Sequence, residues 1–182
     1  MKSPLTLTSC FLLILSACLS LQTLKAADEK QGIDSAKVPK YLEVTPNLGT
    51  GGQPSEEGLR QLAKNGYKAV INLRTSQEGV DLAAEEKLIR ELGLKYFNIP
   101  VVASDPKEEQ AFEFLDFVEK LKDQKVFIHC ASANRVGCFV MIQRVLKDGV
   151  TPGQAEEEAN KIGLRSEALR QFAKDFLERH KK

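Results

Sequence analysis

Residues 126–137 read V-F-I-H-C-A-S-A-N-R-V-G and combine an apolar run with a short polar loop. The apolar residues 126–128 predict a short buried strand. After Cys130 come four small or polar residues, then Arg135 and an apolar run that predicts a helix. A strand, a tight turn and a helix N-terminus bring unpaired backbone N–H groups and the helix dipole together. The stretch therefore predicts an oxyanion-binding loop.

Cys130 and Arg135 are the candidate catalytic residues of this loop. A helix N-terminus and a neighbouring arginine both lower the pKa of a cysteine, which predicts that Cys130 is a thiolate nucleophile. Arg135 offers a planar fork of donors to a tetrahedral oxyanion. The alternative is a buried structural cysteine beside an arginine that caps a neighbouring group. The strand–turn–helix junction favours the nucleophile.

The sequence H-C-A-S-A-N-R-V-G resembles the signature loop of cysteine-dependent phosphatases of the tyrosine and dual-specificity kind. The resemblance implies that Cys130 attacks phosphorus, that Arg135 binds the phosphate and that His129 helps to fix the thiolate. It also implies a substrate-binding cradle of backbone amides, from Ala131, Ser132, Ala133, Asn134, Arg135 and Val136.

Two features depart from that signature. Only four residues separate Cys130 from Arg135, so the loop is one residue shorter and is similar in length to that of rhodanese sulfurtransferases. Val136 stands where the phosphatases carry a hydroxyl that helps the thiolate to leave, a role that Ser132 is a candidate to replace. The short loop, with G-G-Q-P-S and V-I-N-L-R upstream, resembles a bacterial phosphatase-like family over residues 40–165. Its members also occur fused to metallo-β-lactamase-type hydrolases.

The rest of the chain alternates predicted strands with predicted helices. Strands are predicted at 41–45, 69–73, 94–99 and 126–129, and the glycine-rich residues 48–53 predict a hairpin or a structural loop. This order predicts an α/β fold with a mostly parallel central sheet and helices on both faces, as in dual-specificity phosphatases. Ligands bind such sheets at the C-terminal ends of the strands, where Arg74, residues 100–105 and Cys130 all fall.

Two further residues are candidates for the site. A phosphatase needs a general acid for the leaving oxygen, and Asp105 is the carboxylate available before the next helix. The competing interpretation is that Asp105 caps this helix, with Pro106 at its first position. Arg74 is predicted to widen the positive field around a bound anion, with Glu78 orienting it. The alternative for these two residues is an exposed ion pair of little energetic value.

The N-terminus predicts export. Residues 1–26 combine Lys2 with an apolar run, as a signal peptide does, and are followed by a linker at 27–39 and a phosphatase-like domain at 40–182. Cleavage after Ala26 competes with a lipobox-like site that would lipidate Cys18, the one membrane attachment expected. The continued apolar run favours cleavage. The predicted location is the periplasm or cell envelope.

Composition limits the partners. The 26 basic and 25 acidic residues nearly balance, which gives no support for nucleic-acid binding. No Cys/His spacing predicts a metal site, and no cofactor is expected. Cys138 is predicted to be a small core residue.

Three functions fit these residues. The leading prediction is hydrolysis of a small phosphoester or phosphoprotein through a phosphocysteine intermediate. The second is rhodanese-like sulfur transfer through a persulfide on Cys130, which the short loop favours. The third is a non-catalytic module that binds phosphate or another anion, which Val136 and the uncertain acid favour.

Overall fold

The computed structural model describes residues 32–180. Five strands form one sheet in the order β1-β2-β5-β3-β4, in which β1 and β2 are antiparallel and the other neighbours are parallel. The strands are β1 (Leu42–Thr45), β2 (Leu48–Gly51), β3 (Ala69–Asn72), β4 (Lys95–Asn98) and β5 (Val126–His129). The predicted α/β class with a mostly parallel sheet is confirmed, and residues 48–51 form the second strand of a hairpin.

Within residues 32–180, six α-helices cover the sheet. They are α1 (Glu56–Lys64), α2 (Leu82–Glu91), α3 (Glu108–Lys120), α4 (Asn134–Leu146), α5 (Pro152–Ile162) and α6 (Glu167–His180). One apolar cluster joins α1 and α2 to the sheet through side chains such as Leu62 and Ile89. A larger cluster joins α3, α4, α5 and α6 to the sheet, with Phe114 and Phe139 packed edge to face at 5.5 Å. The two clusters use alternate residues of β3 and β5, because successive strand side chains point to opposite faces.

Helix α3 begins later than the sequence predicts. Its first residue is Glu108, and the preceding Lys107 donates its amide to Gln110 Oε1 at 2.9 Å. Gln110 is itself anchored, because its side chain donates to the carbonyl of Pro100 at 2.7 Å. The prediction that Asp105 caps this helix is therefore wrong, and Asp105 lies in the loop before it.

The packed domain includes part of the segment predicted to be a linker. Val38 is completely buried, and the carbonyl of Lys37 accepts from the amide of Ser55 at 2.8 Å. The predicted signal peptide and Cys18 lie outside the described residues. Among residues 32–180, no helix is both long and apolar enough to cross a membrane.

Candidate active site

The candidate site lies at the C-terminal edge of the sheet. Because β2, β5, β3 and β4 run parallel, the segments that follow them meet at this edge. These segments carry Gln53, Cys130, Arg74 and the loop 99–105. The sequence predicted three of the four, and β2 adds Gln53 because it pairs directly with β5.

The loop between β5 and α4 begins at the fully buried Cys130. Ala133 has a left-handed backbone (φ 64°), which turns the chain into the first residue of α4. The amides of residues 134–136 begin α4 and have no acceptor within the helix, because the first backbone bond there runs from the Gly137 amide to the Ala133 carbonyl. Amides at a helix N-terminus are the donors that an anion needs. The cradle of loop amides stays a prediction.

Arg135 is held with one edge of its guanidinium engaged. Nη1 donates to Glu78 Oε1 at 2.6 Å and Nη2 to Glu78 Oε2 at 2.7 Å, and Nη1 also contacts the carbonyls of Leu73 and Val101. In the described part of the chain, no oxygen atom accepts a hydrogen bond from the Nε proton or from the second Nη2 proton of Arg135. Burial lowers the pKa of Arg135, but Glu78 and the nearby Cys130 sulfur outweigh it, so that the pKa is raised. Arg135 is therefore a fixed cation beside Cys130.

Glu78 joins two arginines. It ends a single 3₁₀ turn, Ser76–Glu78, and contacts Arg74 Nε at 3.2 Å in addition to Arg135. Its pKa is lowered to about 2, chiefly by the hydrogen bond from Arg135 and against the effect of burial. Arg74 is only 9% exposed, so the alternative of a solvent-exposed ion pair is wrong. The pair is part of a partly buried network.

Gln53 extends this network to a second carboxylate. Its Oε1 accepts from Arg74 Nη1 at 2.8 Å, and its Nε2 donates to Glu85 Oε2. Glu85 also accepts from Asn72 Nδ2 at 2.7 Å and lies 3.3 Å from His129 Nε2. The contact between the Glu85 carboxylate and His129 Nε2 does not have hydrogen-bond geometry. In the described residues, neither ring nitrogen of His129 has a hydrogen-bond partner. Burial raises the pKa of Glu85, but His129, Gln53 and Asn72 together lower it.

Asp105 lies at the rim of the site. It is exposed, forms an ion pair with Lys107 and is separated by three residues from Val101, whose carbonyl contacts Arg135. Because Asp105 does not cap α3, no helix-capping role accounts for it. Its role as general acid stays a prediction.

The other loop residues are held in different ways. The side chain of Asn134 accepts from the amides of Arg165 and Ser166, at 2.8 and 3.1 Å, and so links the start of α4 to the approach to α6. Ser132 is exposed and its carbonyl accepts from Lys40 Nζ at 3.0 Å. Val136 is buried in α4. The buried Cys138 sulfur donates to the carbonyl of Leu169 at 3.2 Å, as a core residue would, and burial raises its pKa.

Comparison with known proteins identifies the family. A family model described as a DSP-PTPase phosphatase fused to NAD+ kinase matches residues 25–178. The chain belongs to this phosphatase family. The resemblance inferred from the loop is thereby confirmed at the level of family and fold.

Curated relatives and solved structures agree with this family. A β-lactamase hydrolase-like protein of Xylella fastidiosa (strain Temecula1) is 28% identical over 112 residues, which are 59% of this chain and 25% of the relative. The chain thus spans about a quarter of that relative. A DUF442 protein from Shewanella putrefaciens CN-32, described as a candidate phosphatase, superposes with a TM-score of 0.69. It is 23% identical and covers 80% of this chain and 96% of its own.

A third comparison is with TpbA of Pseudomonas aeruginosa in complex with phosphotyrosine. Its TM-score is 0.64 at 16% identity, over 79% of this chain and 86% of TpbA. These structural likenesses establish the fold, which is that of the dual-specificity and tyrosine phosphatases.

Proposed function

We propose that this protein is a cysteine-dependent phosphatase that hydrolyses phosphomonoesters. The observation that carries the proposal is the position of Arg135 beside Cys130 at the N-terminus of α4, where the guanidinium edge away from Glu78 and the first amides of the helix supply donors for a phosphate. Such donors stabilise the charge that develops on the transferring phosphoryl group.

The proposed reaction has two steps. The Cys130 thiolate attacks phosphorus, a sulfur–phosphorus bond forms, and the ester bond breaks while Asp105 protonates the leaving oxygen. Water then attacks phosphorus, the sulfur–phosphorus bond breaks, and Asp105 takes the proton from the water. The products are the alcohol and inorganic phosphate, and the thiolate is restored. Arg135 and the loop amides hold the non-bridging oxygens in both steps.

Sulfur transfer is the second candidate function. The four-residue spacing between Cys130 and Arg135 encloses less space than the five-residue phosphatase loop, and a persulfide needs no acid such as Asp105. A binding module without turnover is the third candidate.

A side-by-side assay of purified protein separates the three candidates. We expect hydrolysis of 4-nitrophenyl phosphate, no transfer of sulfur from thiosulfate to cyanide, and loss of hydrolysis in Cys130→Ser. The matched control is Cys138→Ser, which keeps a donor for the Leu169 carbonyl and should keep activity. Sulfur transfer without hydrolysis would favour the second candidate. Phosphate binding without either activity would favour the third.

The substrate and location are part of the proposal. The TpbA complex supports phosphotyrosine as a first substrate. The apolar, basic pattern of residues 1–26 supports action in the periplasm or cell envelope. The intact mass of the native protein should match that of a chain that begins at Ala27 or at an acylated Cys18. A mass that retains residues 1–17 would contradict export by either route.

A further inference from the structure

Lys40 touches the catalytic loop from a distant part of the chain. Its Nζ donates to the carbonyl of Ser132 at 3.0 Å, although 92 residues separate the two. Ser132 lies two residues after Cys130, so the ammonium group is at the rim of the loop that surrounds the nucleophile. The side chains of both Lys40 and Ser132 are exposed to solvent.

Backbone hydrogen bonds hold the residues on either side of Lys40, and on one side the amide of Tyr41 donates to the carbonyl of Val38 at 3.2 Å. The carbonyl of Pro39 accepts from the amide of Gly52 at 2.7 Å, and Gly52 forms a bridge with Ser132. A Cβ atom on Gly52 would lie 3.1 Å from the carbonyl oxygen of Ala131, so a glycine permits this close approach. Lys40 is thereby presented to the loop by a packed part of the structure.

The conformation of Lys40 is unusual. Its φ of 54° is left-handed, and in residues 32–180 only Ala133 of the catalytic loop shares this property among residues other than glycine. A strained backbone that the surroundings maintain often marks a functional position. Glycine or asparagine would adopt this conformation more easily than lysine, so a lysine here points to use of its side chain.

The charge of Lys40 is not neutralised. Within the described residues no carboxylate lies within ion-pair distance of its Nζ, and its single hydrogen-bond partner is a carbonyl. By contrast, Arg135 and Arg74 share Glu78. Lys40 is therefore a free cation beside the loop, available to an anion that approaches from solvent.

We infer that Lys40 forms a subsite for a second anionic group of the substrate. The substrate class is a phosphomonoester that carries another anion close to the phosphate, such as a carboxylate. This inference rests on the proposed function, because it takes Cys130 as the centre at which the phosphate is bound. Arg135 and the loop amides hold the phosphate, and Lys40 contacts the second anion.

The test compares two substrates that differ by one carboxylate. Phenyl phosphate and 3-carboxyphenyl phosphate are assayed with wild type, Lys40→Met and Lys40→Gln. Each variant is compared with wild type on the same substrate, so differences between the leaving groups cancel. The matched control is Lys68→Met, an equal charge change at an exposed lysine just before β3, at the opposite edge of the sheet.

We expect kcat/KM for the carboxylated substrate to fall about three- to fivefold in Lys40→Met and Lys40→Gln, as for loss of an exposed ion pair. The value for phenyl phosphate should stay unchanged, and added salt should reduce the difference. An equal loss on both substrates would show that Lys40 only anchors Ser132, and no loss on either would show that it has no role. Both results overturn the inference.

A binding measurement separates failure of the subsite from failure of the proposed function. Dissociation constants of the two phosphates are measured by calorimetry with Cys130→Ser as the background, with and without Lys40→Met. A three- to fivefold preference for the carboxylated compound that depends on Lys40 supports the subsite, even if wild type shows no turnover. Equal affinities in both backgrounds overturn it, even if wild type is an active phosphatase.

Discussion

The carboxylate of Glu78 holds the guanidinium of Arg135 with both oxygens, at 2.6 and 2.7 Å. The two residues are 57 positions apart, and their contact fixes which edge of the guanidinium remains for a substrate. A bidentate pair of this kind restricts rotation of the arginine as well as supplying energy. Glu78 therefore acts as a positioning residue for Arg135.

We predict that Glu78→Gln lowers both stability and activity. The change leaves Arg74 and Arg135 without their shared counter-ion, and the expected cost is about 1–3 kcal/mol in the free energy of unfolding. Urea titration at pH 7 measures this cost. Gln77→Glu, in the same exposed turn, is the control and should change stability little.

The contribution of Glu78 to the free energy of unfolding should decrease at low pH. Its pKa falls from an ordinary value of 4.5 to about 2 in the folded protein, so its contribution is complete above pH 4.5 and is lost as the pH falls towards 2. The stability difference between wild type and Glu78→Gln should therefore shrink over this window. A difference that stays constant from pH 7 to pH 3 would contradict the assignment of the low pKa to this carboxylate.

Gln53 should couple the two halves of the network. We predict that Gln53→Ala costs about 1–3 kcal/mol, because Arg74 and Glu85 each lose a partner in a partly buried network. Gln53→Glu should cost at least as much, since it places a second carboxylate against Glu85. Chemical denaturation of both variants, with Gln77→Ala as the exposed control, tests this order. A fully stable Gln53→Glu would mean that Arg74 alone determines the position of residue 53.

Substitution of Asp105 should lower catalytic activity without lowering stability. Because its side chain is exposed and does not cap α3, Asp105→Asn should leave the unfolding transition unchanged. If Asp105 protonates the leaving oxygen, kcat for phenyl phosphate should fall about 100-fold or more, while 4-nitrophenyl phosphate, with a better leaving group, loses less. Asp116→Asn, at an exposed ion pair on α3, is the control. Equal losses of kcat on the two substrates would show that Asp105 is not the general acid.

The sequence predicted the fold and the centre of the site because both depend on local patterns. The apolar run at residues 126–128, the loop and the following helix are contiguous, so Cys130 and Arg135 could be identified together. The start of α3 was missed because Asp105 and Pro106 form a local capping signal, whereas the contact of Gln110 with the Pro100 carbonyl favours a later start. Tertiary contacts of this kind do not appear in a local pattern.

The supporting network could not be predicted in the same way. Gln53 reaches Arg74 because β2 pairs with β5 and β5 with β3, an order that strand periodicity does not specify. Glu85 appears in the sequence as one of several acidic residues of an amphipathic helix, and only the packing of α2 brings it to His129. The glycine-rich residues 48–53 predict a hairpin or a structural loop and no role at the site. The hairpin alternative was the one available signal, because it would end a strand close to Gln53.

The length of the loop gives the most direct test of function. The start of α4 is fixed in place: Asn134 accepts from the amides of residues 165–166, and a Cβ atom on Gly137 would lie 2.7 Å from the carbonyl oxygen of Ala159, so α4 has little room to shift. A glycine inserted between Ala133 and Asn134 should therefore lengthen the loop without displacing α4. The insertion adds one amide and restores the five-residue spacing of the phosphatases.

We predict that this insertion preserves or raises hydrolysis of 4-nitrophenyl phosphate, and lowers any sulfur transfer from thiosulfate. A charge-assisted hydrogen bond contributes about 1.5–3 kcal/mol, so the added loop amide would increase kcat/KM by about 10- to 100-fold. The control inserts a glycine between Asp148 and Gly149, in the turn after α4, and should leave both activities unchanged. Sulfur transfer by the native loop, with no hydrolysis in either form, would instead show that the four-residue loop is built for a persulfide on Cys130.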